Sequence, residues 1–178
     1  MIPVLWLLAS GPAAAADTPS VVEVRALYLY NFSLFISWPE SAFTSADAPI
    51  DYCVAGNARL RKLLEKLLDG ETAHGRPLRL VDAGGGSGRN NCHLLYLDSS
   101  LGDEMQRIRE SLRGRPVLLV SDAPGFVRKG GMVSLVRKGR RVRPMINLAA
   151  VRASGIRISS KLLRLSTLVS TEEGKESP

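Results

Sequence analysis

The chain reads as an α/β protein: a single compact domain whose mostly parallel or mixed β-sheet is flanked by helices on both faces. Three observations lead there. Short apolar segments alternate with amphipathic helical ones through the middle of the chain in the order β-α-β-β-α-β. One of them, Pro116 to Ser121 (PVLLVS), is continuously apolar, as strands buried on both faces are. And 178 residues at 45% hydrophobic content supply one sizeable core, within the length of one domain.

The first sixteen residues, MIPVLWLLASGPAAAA, have the layout of a secretory signal. Ile2 to Ala9 is a short apolar core, Ala14-Ala15-Ala16 offers small residues for cleavage, and Asp17 would begin the mature chain. No Lys or Arg precedes the core, the one feature of such a signal that is missing. The competing reading is a disordered apolar tail. No cysteine follows the small residues, so a lipoprotein anchor is not expected, and no later stretch is long and apolar enough to span a bilayer. The expectation is an exported chain: a signal over 1–16, the domain over 17–170 and a disordered polar tail, TEEGKESP, over 171–178.

Val22 to Pro39 (VEVRALYLYNFSLFISWP) is the densest apolar run and predicts a helix stopped by Pro39. It holds Tyr28, Tyr30, Phe32, Phe35 and Trp38 in a chain that is only 6% aromatic. On a 3.6-residue period Val24, Leu27, Tyr28, Phe32 and Phe35 form the inward stripe, widened by Leu29, Leu34 and Ile36. So little polar surface is left that the helix is expected to be covered on most sides, by the core or by a second copy.

Ile50 to Gly56 (IDYCVAG) is a strand with a glycine stop, and Asn57 caps a helix whose Leu60, Leu63, Leu64, Leu67 and Leu68 share one face up to Gly70. Pro77 to Asp82 is a short strand, followed by the glycine-rich loop AGGGSGRNN. That loop lacks the Lys-Ser/Thr of a P-loop and the GxGxxG order, so it reads as a plain connection. His93 to Leu97 is the next strand. LGDEMQRIRESLRG is a helix with Leu101, Met105, Ile108 and Leu112 inward. After PVLLVS and the turn DAPGF come two strands, Gly130 to Val136 and Arg141 to Ile146, joined by a turn at Arg137-Lys138-Gly139-Arg140. Pro144 places the second of them at an edge or a bulge. Asn147 caps a short helix closed by Gly155. Ser159 and Ser160 open a last helix, KLLRLSTLV, with Leu162, Leu163, Leu165, Leu168 and Val169 mostly in the core.

A search for chemistry finds little. Ser99, Ser121 and Ser134 lack a GxSxG elbow. His93 sits inside an apolar strand, where a histidine is more often structural, and His74 is a loop residue. Two cysteines and two histidines show no zinc spacing. No metal, no cofactor and no catalytic residue is expected. Asp82, Asp98 and Asp122 stand at strand ends, on the edge where ligands bind in α/β folds. Asp98, Ser99 and Asp122 are therefore the candidate small-ligand pocket, although the same aspartates suit caps and turns. Cys53 and Cys92 are an even pair in an exported chain, which favours a bridge over two buried thiols.

The net charge is +7. Arg128 to Arg143 concentrates Arg128, Lys129, Arg137, Lys138, Arg140, Arg141 and Arg143, with no aromatic residue interleaved beyond Lys129. Stacking platforms for nucleic acid need those aromatics, so no nucleic-acid partner is expected. A solvated hairpin is the plain reading, an acidic patch on a partner protein the second.

The blocks ALYLYNFSLFISWP, DYCVAG, CHLLYL, PVLLVSDAPGFVRKGGMVSLV and RVRPMINLAAVRASGIRISSKLLRL, in this order, resemble the YfiR-like family of periplasmic regulators. The resemblance covers nearly all of the chain after Asp17. It implies a compact, non-catalytic α/β domain that forms homodimers. It also implies a partner: the periplasmic domain of an inner-membrane diguanylate cyclase, which the family's best-known member holds inactive, limiting cyclic di-GMP and biofilm. A peptidoglycan-associated outer-membrane lipoprotein sequesters that repressor. By the same resemblance Cys53 and Cys92 match a family disulfide. A second family pair would fall at Val127 and Ser134 and is absent here. The partner-binding surface would involve Val133, Met145 and Val151. Pro144-Met145 stands where members often carry Phe-Glu, which replaces a carboxylate by an apolar side chain and bears on which cyclase, or which sensor kinase, is bound. A periplasmic small-ligand sensor subunit for a sensor kinase is the alternative, and an enzyme ranks last.

Overall fold

The computed structural model describes residues 19–82, 89, 91–139 and 141–170. The expected signal over 1–16, nearly all of the glycine-rich loop and the tail over 171–178 lie outside the described residues.

The first helix, α1 (Val21–Phe35), starts on a capping box: Ser20 Oγ accepts from the Glu23 N–H, and the Glu23 carboxylate accepts from the Ser20 N–H. It ends four residues before Pro39. Ile36–Ser37 leave it as a short strand, β1, paired antiparallel with β9 (Arg157–Ile158). The inward stripe also differs from expectation. Ala26, Leu29, Phe32 and Ser33 are buried, whereas Leu27 and Leu34 are 45% and 42% exposed. The helix is apolar on nearly every side, so periodicity could not choose its inner face.

The main sheet has eight strands in the order β10-β8-β7-β6-β5-β2-β4-β3. Their ranges are β2 (Ile50–Ala55), β3 (Thr72–Ala73), β4 (Arg76–Leu80), β5 (Leu94–Leu97), β6 (Leu118–Ser121), β7 (Val133–Lys138), β8 (Arg141–Asn147) and β10 (Thr167–Val169). Pairing is parallel from β4 through β2, β5 and β6 to β7, and again between β8 and β10. It is antiparallel in the hairpins β3–β4 and β7–β8. The fully buried runs in β5 and β6 fit this centre: Leu94 to Leu97 and Leu118 to Ser121 show no more than 2% exposure. Each fully buried leucine there contributes about 2 kcal/mol of apolar burial.

The helix α2 (Ala58–Leu68) joins β2 to the β3–β4 hairpin, and α3 (Asp103–Ser111) joins β5 to β6. These crossovers step outward in opposite directions along the sheet. Right-handed connections then place α2 and α3 on opposite faces. α1 packs beside α2. Three tyrosines fasten it: Tyr28 donates to the Val142 carbonyl, Tyr30 to the Glu71 carboxylate and Tyr52 to the Leu29 carbonyl. A short helix, α4 (Leu148–Ala153), is capped by Asn147 as expected.

The C-terminal helix corrects the sequence reading. α5 spans only Ser160–Arg164, and Thr167–Val169 form β10 instead. Only Leu162 is buried, while Leu165 and Leu168 are 68% and 52% exposed. Ser159 caps the start and the Ser166 hydroxyl bonds back to the Leu162 carbonyl, closing the helix. The β8 edge at Met145 to Asn147 then accepts the β-branched Thr167 and Val169 as a neighbouring strand. Before Met145, β8 has no neighbour on that side among the described strands, which is where Pro144 is tolerated.

Candidate functional site

The strands β2 and β5 diverge toward opposite helices, and ligands in such sheets bind at the carboxyl ends of a pair like this. Gly56 follows β2 with φ at +86°. A Cβ there would stand 2.9 Å from the Asp98 Cβ, so the two strand ends touch through a position only glycine fills. The Asp98 carboxylate accepts from Asn57 Nδ2 at 2.7 Å and from the Ser100 N–H at 3.1 Å. Burial works against its ionisation, but these hydrogen bonds from Asn57 and Ser100 outweigh it and hold the carboxyl below its usual range. Asp122, after β6, accepts from the Ser99 N–H at 2.8 Å and from the Arg25 guanidinium at 2.8 Å. Asp98, Ser99 and Asp122 thus do meet at one sheet edge. Their charged groups are engaged by the protein itself, and α1 reaches them through Arg25. Beside them the Tyr96 hydroxyl and Arg25 Nε are buried without a hydrogen-bond partner among the described residues. Burial, reinforced by the Asp122 charge, pushes the Tyr96 phenol up, so it stays protonated.

His93 precedes β5. Its Nδ1 accepts from the Asp51 N–H at 3.0 Å, so the proton sits on Nε2, which donates to the Ala42 carbonyl at 3.1 Å. The Trp38 indole N–H donates to the His93 carbonyl. The Phe43 ring stacks on the imidazole with centroids 4.5 Å apart, and the Arg76 guanidinium lies 3.6 Å from the Phe43 centroid. Arg76 also bonds the Ser45 and Ala48 carbonyls and Glu40. Both imidazole nitrogens therefore serve the packing of the segment after α1. Next to His93, Cys53 and Cys92 form a disulfide between β2 and the entry to β5. Both are buried. Ser121, another candidate nucleophile, is buried with its hydroxyl taking the Ala123 N–H. No group of three or more His, Cys, Asp or Glu among the described residues could hold a metal ion.

The three positions carried over as partner contacts separate. Val133 in β7 and Val151 in α4 have no exposed surface, and Val133, paired with Ile146, lies on the opposite face of the sheet from Met145. Met145 in β8 is half-buried. It shares a shallow groove with Arg128, Thr167, Leu168, Val169 and Ser170. Sequence reasoning missed Leu168 as a surface residue because it assigned that residue to a helix. The signal it passed over was the alternation of Thr167, Leu168 and Val169 right after Ser166.

No curated protein matches the chain significantly. The profile of the YfiR/HmsC-like family matches residues 22–167. That span runs from the first turn of α1 to the first residue of β10 and takes in the disulfide, the sheet edge and Met145. The chain belongs to the YfiR/HmsC-like family.

Proposed function

We propose that the chain is a periplasmic regulator that binds the periplasmic domain of an inner-membrane diguanylate cyclase and holds it inactive. The observation that carries this reading is the family match over residues 22–167. Members of the family are regulators of this kind rather than enzymes. No helix among the described residues is long and apolar enough to cross a membrane. The surface proposed for the cyclase centres on Met145 and Leu168, while Val133 and Val151 are buried and touch no partner directly. Its charge differs from that of members with Glu at this position, and Arg128 borders it. Binding here rewards a partner with an apolar and acidic contact.

Repression works by population shift. The protein must bind the inactive cyclase conformation more tightly than the active one, since equal affinities shift nothing. Titrating the purified receptor domain locked in each state tests this. Tighter binding to the inactive state supports the proposal, and equal affinities refute it. A homodimer through the Leu27 and Leu34 face of α1, and capture by a peptidoglycan-associated outer-membrane lipoprotein, belong to the same proposal. The reading as a small-ligand sensor for a sensor kinase is second: a ligand at Asp98, Ser99 and Asp122 would have to displace Arg25 from Asp122.

A further inference from the structure

Leu165 follows α5 and is 68% exposed, more than any other large hydrophobic side chain described. It borders an open groove of about 340 Å³ with Val24 and Tyr28 of α1 and with Arg141, Arg143 and Pro144 of β8. Arg141 and Arg143 are exposed, as is Arg164 at the end of α5. Among the described residues no Asp or Glu lines the groove, and none pairs with these three arginines. The groove runs along the part of β8 that β10 leaves uncovered. Asn147 sends its N–H to the Met132 carbonyl on the β7 side, and strand alternation sends the backbone groups of Val142 and Pro144 to the other. There the Val142 carbonyl already accepts from the Tyr28 hydroxyl, and Pro144 has no N–H. An added strand would find an acceptor filled and a donor missing, so this edge does not extend the sheet.

We infer that this face rests on a bilayer surface that carries anionic headgroups, with Leu165 at the boundary of the acyl chains and Arg141, Arg143 and Arg164 among the phosphates. An exposed apolar anchor ringed by cations, with no acid of the protein between them, is the chemistry of an interfacial contact. Apolar burial and attraction to anionic lipid add together, and neither asks for strand pairing, which this edge does not offer. Arginines on long exposed arms reach phosphates at varied positions, which suits a fluid headgroup layer. The groove shares no residue with that of Met145, so lipid and the proposed cyclase contact use different side chains. Resting on the bilayer raises the concentration of the chain beside any partner anchored in it.

The test is flotation of the isolated chain with lipid vesicles, which is independent of any cyclase. Two probes are used: vesicles of phosphatidylcholine alone, and vesicles in which about 30% of the lipid is phosphatidylglycerol. The bound fraction is expected to be at least about fivefold higher on the anionic vesicles, and to fall at least about fivefold as sodium chloride rises from about 0.05 M to about 0.5 M. Leu165→Glu changes an exposed position. It should cut binding at least about fivefold, with the melting temperature within a few degrees and the sedimentation coefficient unchanged. Arg141→Glu with Arg143→Glu should cut it as far, whereas the control Lys62→Glu with Lys66→Glu, the same charge change on exposed positions of α2, should cost less than about twofold. The inference is overturned if both vesicle compositions bind alike, if Leu165→Glu binds as the native chain does, or if the control loses as much as the β8 pair. It is overturned as well if Leu165→Glu turns a dimer into monomer, which gives the groove to a second copy. A chain that ignores both vesicles but loses the receptor domain on Leu165→Glu also overturns it, and gives the groove to a protein surface.

Discussion

Arg25 and Asp122 are joined at 2.8 Å with only 14% and 9% of their side chains exposed, and this one contact ties α1 to the end of β6. Asp122 also holds the Ser99 N–H, so the pair fixes the carboxyl edge of the sheet as well as the helix.

Breaking that pair leaves a charge buried alone. Arg25→Met is expected to lower stability by about 3 kcal/mol, and Asp122→Leu by a similar amount. Arg25→Met with Asp122→Leu, which removes both charges, should lose clearly less than the sum. Urea unfolding midpoints of the four proteins measure this coupling.

His93 gives the fold a pH dependence. Burial, opposed in part by the Asp51 charge and the Ala42 hydrogen bond, pushes its pKa below the ordinary 6.5. The unfolded chain therefore takes up the proton first. Stability is full above pH 6.5 and falls as the pH drops below it, until the folded-state pKa is passed. Asp98 acts in a lower window: its carboxyl is held below its ordinary 3.8, so its contribution persists above that value and is lost as the pH falls further. His93→Gln should flatten the melting temperature between pH 6.5 and 5 while lowering it overall. An unchanged slope in that variant would assign the dependence to another group.

The disulfide closes a separation of 39 residues. Cys53→Ala with Cys92→Ala is expected to cost about 4 kcal/mol through freedom regained by the unfolded chain. Both sulfurs are buried, so thiol labelling of the native protein without reductant should be negligible and should appear only after unfolding in reductant.

The central α/β units were legible because each level agreed. In Ala58 to Leu68 the cap, the leucine face and the closing glycine all name one helix, and PVLLVS is apolar enough to name a central strand. The ends of the chain were less legible. α1 is apolar all round, so only its contacts with α2 and β8 reveal that Leu27 and Leu34 face outward. Leu165 and Leu168 carry a helical spacing, but the β8 edge captures Thr167–Val169, a pairing with a partner twenty-two residues away that no local pattern records. The candidate site was half visible. Asp98, Ser99 and Asp122 could be placed together from strand ends, whereas Arg25, the residue that occupies Asp122, comes from a helix nearly a hundred residues earlier. Arg128 and Lys129 read as part of a hairpin run, and only the fold separates them from it.

The outward face of α1 is expected to meet a second copy. Leu27→Glu with Leu34→Glu touches exposed positions and should leave the melting temperature within a few degrees while converting a dimer to monomer in sedimentation. Met145→Arg with Leu168→Arg should leave both the fold and the dimer intact and remove binding to the receptor domain by at least about tenfold.

The central claim is repression of a diguanylate cyclase, and the most direct measurement is cellular cyclic di-GMP in the source bacterium with the gene present, deleted and restored as the Met145→Arg, Leu168→Arg variant. The account predicts a clear rise on deletion, reversed by the native gene and not by the variant. Cyclic di-GMP that does not change on deletion would contradict it.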